Sequence, residues 1–163
     1  MNIPHDRPSA FSLVEITLAL GVTAFCLLAV MGLLPVSFKT QQASVQQTTA
    51  NGIIAQISAD LRADIRLPPG QASKEGFGLK DHWKAVGTPD TLYFTNDAAH
   101  TGSANQASAP ADAAFRATIT YISPPTDTTS LANITVSWPA PVNPSTGGVP
   151  AGSVQTFIAA NRQ

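Results

Sequence analysis

The stretch Ser9–Val36, "SAFSLVEITLALGVTAFCLLAVMGLLPV", decides how this chain is organised. From Ile16 to Val36 it runs for 21 residues without a charge. At about 1.5 Å per residue a helix of that length reaches roughly 30 Å, the thickness of a bilayer's hydrocarbon core. It is apolar on all faces, which sets it apart from an amphipathic surface helix. The buried core helix of a soluble protein is the competing reading, but the rest of the chain is too polar and too short to wrap it. A cleaved secretory signal is another, but its apolar core runs to only about 7–15 residues. The flank "MNIPHDRPSA" also has a single fixed positive side chain, Arg7, partly offset by Asp6. The expectation is a membrane-spanning helix over 11–38.

One residue does not suit a plain anchor. Glu15 is the only charge between Phe11 and Phe38. A carboxylate costs up to about 2.5–3.5 kcal/mol at the bilayer centre and less near its edge. A neutral residue would insert more easily, so the acid calls for a partner. The plainer alternative is an acid at the membrane edge, satisfied by water and headgroups.

The residues around Glu15 carry a resemblance. Ala10-Phe11-Ser12-Leu13-Val14-Glu15 resembles the prepilin recognition motif, in which a small residue, usually Gly, precedes Phe-Thr-Leu-x-Glu. Phe11, Ser12, Leu13 and Glu15 match it; Ser12 stands for the usual Thr and Ala10 for the usual Gly. The resemblance implies that a prepilin peptidase cuts between Ala10 and Phe11 and methylates the new amino terminus at Phe11. Residues 1–10 would then be a leader left in the cytoplasm of a bacterium. The mature chain would be a single-pass protein of the inner membrane, in contact with its lipid, with its head in the periplasm or on an extracellular filament. In pilin-like filaments Glu15 would meet the amino terminus of a neighbouring subunit. Inside a low-dielectric layer an ammonium and a carboxylate attract strongly, while each alone is costly to bury.

Gly21, Gly32 and Pro35 interrupt the apolar run. Proline removes a helical hydrogen bond, and glycine allows close helix approach. Pilin-like stems carry such breakers; ordinary tolerance in membrane helices explains them equally. Cys26, the one cysteine, reads as a small apolar residue of this helix, and a lone thiol forms no internal disulfide.

Beyond Lys39, Val45, Ala50, Ile53, Ile54, Ile57, Leu61 and Ile65 recur at helical spacing and make one apolar face. Asp60, Arg62, Asp64 and Arg66 read as a solvated face, since their spacings give like-charge pairs or pairs too close to meet. "LPPG", Leu67 to Gly70, ends the helix. One long helix over 12–67 is expected, broken near Gly32–Pro35, with 39–67 as an amphipathic stem.

From 68 to 163 the chain is rich in turn residues and β-branched strands. Residues 91–97, 115–123, 133–139 and 154–160 read as strands. In the second, Phe115, Ala117, Ile119 and Tyr121 share a face opposite Arg116, Thr118 and Thr120. In the third, Ile134, Val136 and Trp138 share a face. The second and third are close enough in sequence to pair antiparallel. The fold class is α+β: a long N-terminal helix packed against a small antiparallel head.

The head shows little chemistry. His5, His82 and His100 lack metal-ligand spacing, and no phosphate loop, nucleophile elbow or Cys-His pair is present. Asn133-Ile-Thr matches a glycosylation sequon of a kind common by chance. "DHW" (81–83) reads as a loop aromatic packed on the core, with surface recognition as the alternative. Net charge is −1, and no basic surface points to nucleic acid. No catalytic residue, metal or cofactor is expected.

Across the whole chain, the N-terminal run, "ISADLRA", "ITVSWPAPVNP" and "GSVQTFIAANR" resemble the Verru_Chthon cassette protein B family. "ITVSW" is also similar to a strand of minor pseudopilins of type II secretion. The implied function is a structural, minor pilin-like subunit whose partners are the prepilin peptidase and other pilin-like subunits. The alternative is an anchored binding module that does not polymerise.

Overall fold

A computed structural model describes residues 11–64, 67, 76–79, 84, 86–122 and 129–161. The leader 1–10 with Ala10, the "DHW" segment, Ile65, Arg66, Ser123 and most of "LPPG" lie outside these residues. The chain divides into two compact units, one up to Gln42 and one from Ala43 onward.

The first unit is built on the apolar part of helix α1 (Leu13–Asp64). Every large apolar side chain from Phe11 to Phe38 is exposed. Keeping such a side chain in water forgoes about 1.5–3 kcal/mol. Over this run the total reaches tens of kcal/mol, more than the roughly 5–15 kcal/mol that holds a domain together. The hydroxyls within it are satisfied locally: Thr17 donates to the Val14 carbonyl (3.0 Å) and Thr23 to that of Ala19 (2.7 Å). The helix is long and apolar enough to cross a membrane.

The expected break near Gly32–Pro35 is absent. The helix runs without interruption through Gly21, Gly32 and Pro35. Proline removes one N–H and crowds the carbonyl four residues back, at Met31. Breaking the surrounding ladder would free several more backbone groups in an apolar stretch, at several kcal/mol each in lipid. Retaining the helix is the smaller cost.

The second unit contains the end of α1 and five strands: β1 (Asp90–Phe94), β2 (His100–Thr101), β3 (Phe115–Ile122), β4 (Thr129–Trp138) and β5 (Gly152–Asn161). They form one antiparallel sheet in the order β2-β1-β3-β4-β5. The paired second and third strands are as expected, in the register Ala117↔Val136, Ile119↔Ile134, Tyr121↔Ala132. That register lines up the two apolar rows read from alternation. Leu92 and Phe94 of β1 and Ile158 of β5 extend the same face, and Ala50, Ile53, Ile57 and Leu61 of α1 pack with it in one core.

Several details depart from expectation. β1 stops at Phe94, because Thr95 turns the chain: its N–H donates to the Ala99 carbonyl (2.9 Å), with Ala98 at φ 59°. His100–Thr101, expected as loop, pairs with Tyr93 and Phe94 as the short edge strand β2. Val45 is exposed, and the buried stripe begins at Ala50. Asp64 is fully buried, not part of a solvated face. It lies three residues after Leu61 and seven after Ile57, so helical geometry carries it onto the core stripe. Asp60, half-buried, accepts the Phe77 N–H on Oδ2 (2.9 Å). Arg62 alone of the described members of that set is exposed.

Candidate functional site

Phe11, Ser12, Leu13 and Glu15 come together at the start of α1. Ser12 precedes the first helical residue, and its carbonyl accepts the N–H groups of Glu15 (3.0 Å) and Ile16 (3.2 Å). Glu15 lies in the first turn, where unpaired backbone N–H groups favour an anion. Ser12 and Glu15 have the spacing of a capping box, yet neither side chain bonds the helix backbone among the described residues. The Glu15 carboxylate is exposed and makes no hydrogen bond or ion pair among those residues. Beside it Phe11, Ile16, Ala19, Leu20 and Thr23 border a shallow apolar depression. Phe11 and Leu13 are each 78% exposed.

Gly21 and Gly32 lie farther along the same helix. A Cβ at either would meet nothing within 4 Å in this chain. Their lack of a side chain serves no contact among the described residues. Pro35 stands about 21 Å along the axis from Gly21 at 1.5 Å per residue. Cys26 is exposed on the same apolar stretch.

In the head, no group of three or more His, Cys, Asp or Glu is placed to hold a metal among the described residues. His100 packs against the rings of Phe77 (centroids 5.2 Å) and Phe94 (5.7 Å). Burial there pushes its pKa below the ordinary value of 6.5. Asn133 of the sequon sits mid-strand in β4, half-buried and paired with Thr120 and Phe157.

Sequence reasoning missed a polar cleft of about 470 Å³, bordered by Thr88, Thr91, Asn105, Gln106, Arg116 and Asn143. Arg116 was expected on the outer face of β3, and alternation did place it opposite the core. That face is nevertheless covered there: Arg116 is only 6% exposed. Its guanidinium lies over the ring of Tyr93, its cross-strand neighbour, at 5.1 Å. Its Nε donates to the Ala140 carbonyl at 2.9 Å. The Ala140 N–H in turn donates to Ala114 (2.9 Å), which ties the segment after β4 back over the sheet. A charged residue between two apolar ones on a strand is the ordinary mark of a solvated face, so nothing in sequence signalled this cover.

No family model, no curated protein and no solved structure matches the chain.

Proposed function

We propose that this chain is a structural, pilin-like subunit, a minor component of a type IV pilus or of a type II secretion-like pseudopilus, and that its kinship is with the Verru_Chthon cassette protein B family. The observation that carries the reading is Glu15. It is the one charge on the exposed apolar stretch 11–38, in the first turn of α1, with no partner of its own among the described residues. In this reading a prepilin peptidase cuts between Ala10 and Phe11 and methylates Phe11. The protein then stays in the bacterial inner membrane through 11–38, with its head on the periplasmic side or on an extracellular filament. The new ammonium of one subunit pairs with Glu15 of another. At about 4 Å and an effective dielectric near 20, that attraction is on the order of 4 kcal/mol. It offsets the desolvation of two charges and sets the axial register of the helices. The reading assigns no catalytic activity and no cofactor.

The test is the mass and N-terminal sequence of membrane-extracted protein from cells with and without a prepilin peptidase. A chain starting at methylated Phe11 only when the peptidase is present supports the reading. An intact Met1 leader in both overturns it.

A second reading, an anchored binding module that does not polymerise, is favoured by the cleft around Arg116. Glu15 separates the two: an anchor tolerates leucine there, and an assembling subunit does not.

A further inference from the structure

We propose that the cleft around Arg116 is a binding site for a carboxylate borne by a peptide chain, independent of any role of the N-terminal helix.

The argument begins with donors. A guanidinium carries five N–H groups and is always charged. In Arg116 the Nε–H is used by Ala140, and one face lies over Tyr93. The Nη groups have no acceptor among the described residues, and no carboxylate pairs with this cation there. Burying a charge without an ionic partner is costly, and native chains seldom accept it without a use.

Two acids of the described head, Asp90 and Asp112, are already engaged. Asp90 accepts Asn105 Nδ2 on Oδ1 (2.7 Å) and the Tyr121 hydroxyl on Oδ2 (2.6 Å). Asp112 accepts the Thr101 hydroxyl at 2.8 Å. Neither borders the cleft.

The walls hold the cation in place. Tyr93 is further tied by its hydroxyl to the Gln106 carbonyl (3.4 Å). Asn105 is locked by its Oδ1 to the Thr91 N–H (2.7 Å), and Gln106 by its amide to Ser108 (2.7 Å) and Ser103 (3.2 Å). Asn143, which also borders the cleft, accepts the Ser145 N–H on Oδ1 (3.1 Å), and its amide NH2 has no acceptor among the described residues, so it is available as a second donor.

The chemistry of the ligand follows. With Nε occupied, the two Nη groups form an end-on fork that matches the two oxygens of a carboxylate. Among the described residues that border the cleft, Arg116 is the only charged one. One cation neutralises a monoanion; a phosphate dianion would be left with excess charge. The cleft is open and polar, suited to an extended chain end or an acidic side chain.

The experiment is an NMR titration of the full chain in detergent micelles, following Arg116, Tyr93 and Asn143. The probes are N-acetylglycine, which imitates a chain terminus, and N-acetylglutamic acid α-amide, which imitates an acidic side chain. N-acetylglycinamide is the uncharged control and inorganic phosphate the competing anion. Saturable shifts with either carboxylate and none with the control are expected, and the tighter probe identifies the source. Arg116→Lys keeps the charge but loses the fork, and should weaken binding about tenfold or more. Because that change also removes the Ala140 bond, Asn143→Ser provides a second variant. It keeps a capping oxygen for the Ser145 N–H but lacks the NH2 donor, and should weaken binding several-fold. No saturable shift, equal binding by the control, or equal binding by phosphate would overturn the proposal. So would unchanged affinity in Asn143→Ser together with unchanged affinity in a folded Arg116→Lys protein.

Discussion

The proposed assembly gives Glu15 a role beyond the helix end, and a substitution there tests it. At the first turn of α1 its charge faces the positive end of the helix dipole, worth about 0.3–1 kcal/mol. In the proposed assembly it also neutralises a neighbour's terminus. Glu15→Leu should insert at least as well as the natural chain and leave the head folded, because the head's core is built from residues 50 onward. Co-purification of the variant with other pilin-like subunits should be lost. If the leucine chain still assembles, the charge pairing is not what sets the register.

His100 makes a prediction about pH. Its pKa is lowered by burial against Phe77 and Phe94. The unfolded chain therefore takes up a proton before the folded one does. Stability is fully present above pH 6.5 and falls on acidification from 6.5 to the lowered folded value, below which this contribution is constant. The effect is modest, since the ring keeps part of its surface in water. Denaturant midpoints at pH 7.5 and 5 should differ less in His100→Gln than in the natural chain. An equal difference in both would assign the pH dependence to other groups.

At the scale of the element, α1 is one helix serving two environments. Its C-terminal half is held by a stripe at Ala50, Ile53, Ile57 and Leu61, all with no exposed surface. Ile57→Ala should cost about 2–5 kcal/mol, from lost burial and the cavity left behind. Val45→Ala, on the same half but exposed, should stay within about 0.5 kcal/mol. Thermal or chemical unfolding monitored at Trp138 compares the two, and equal effects would mean the buried stripe is misplaced. Strand β5 has a similar marker. A Cβ on Gly152 would run into the Trp138 indole, with which it is paired across β4 and β5. Gly152→Ala should cost about 1–3 kcal/mol through overpacking, read from the same unfolding curves.

For the whole molecule, the exposed apolar run decides where the protein can exist. Tens of kcal/mol of unburied apolar surface require lipid or other apolar helices around 11–38. The chain should stay with membranes through alkaline carbonate washing and leave them only in detergent. Leu28→Arg, near the middle of the run, adds about 2.5–3.5 kcal/mol to insertion and should shift part of the protein to the soluble or degraded fraction. Release of the natural chain by carbonate alone would argue against a spanning helix.

The long apolar run, the periodic stem and the alternating strands were all legible from residue order, because each rests on a local pattern: unbroken apolar residues in the first, a period of 3.6 in the stem and of 2 in the strands. The same locality made the charge at Glu15 conspicuous. Tertiary structure decided what locality could not. It kept the helix whole through Pro35, since a broken ladder in apolar surroundings costs more than one missing hydrogen bond. It buried Asp64, which helical spacing had put in line with Leu61 and Ile57, and left Val45 exposed, since the core covers only part of the helix. It also folded the segment after Trp138 back over β3, which turned Arg116 from a surface charge into a buried cation facing a cleft. Burial depends on what distant segments cover, and no period within a strand records that.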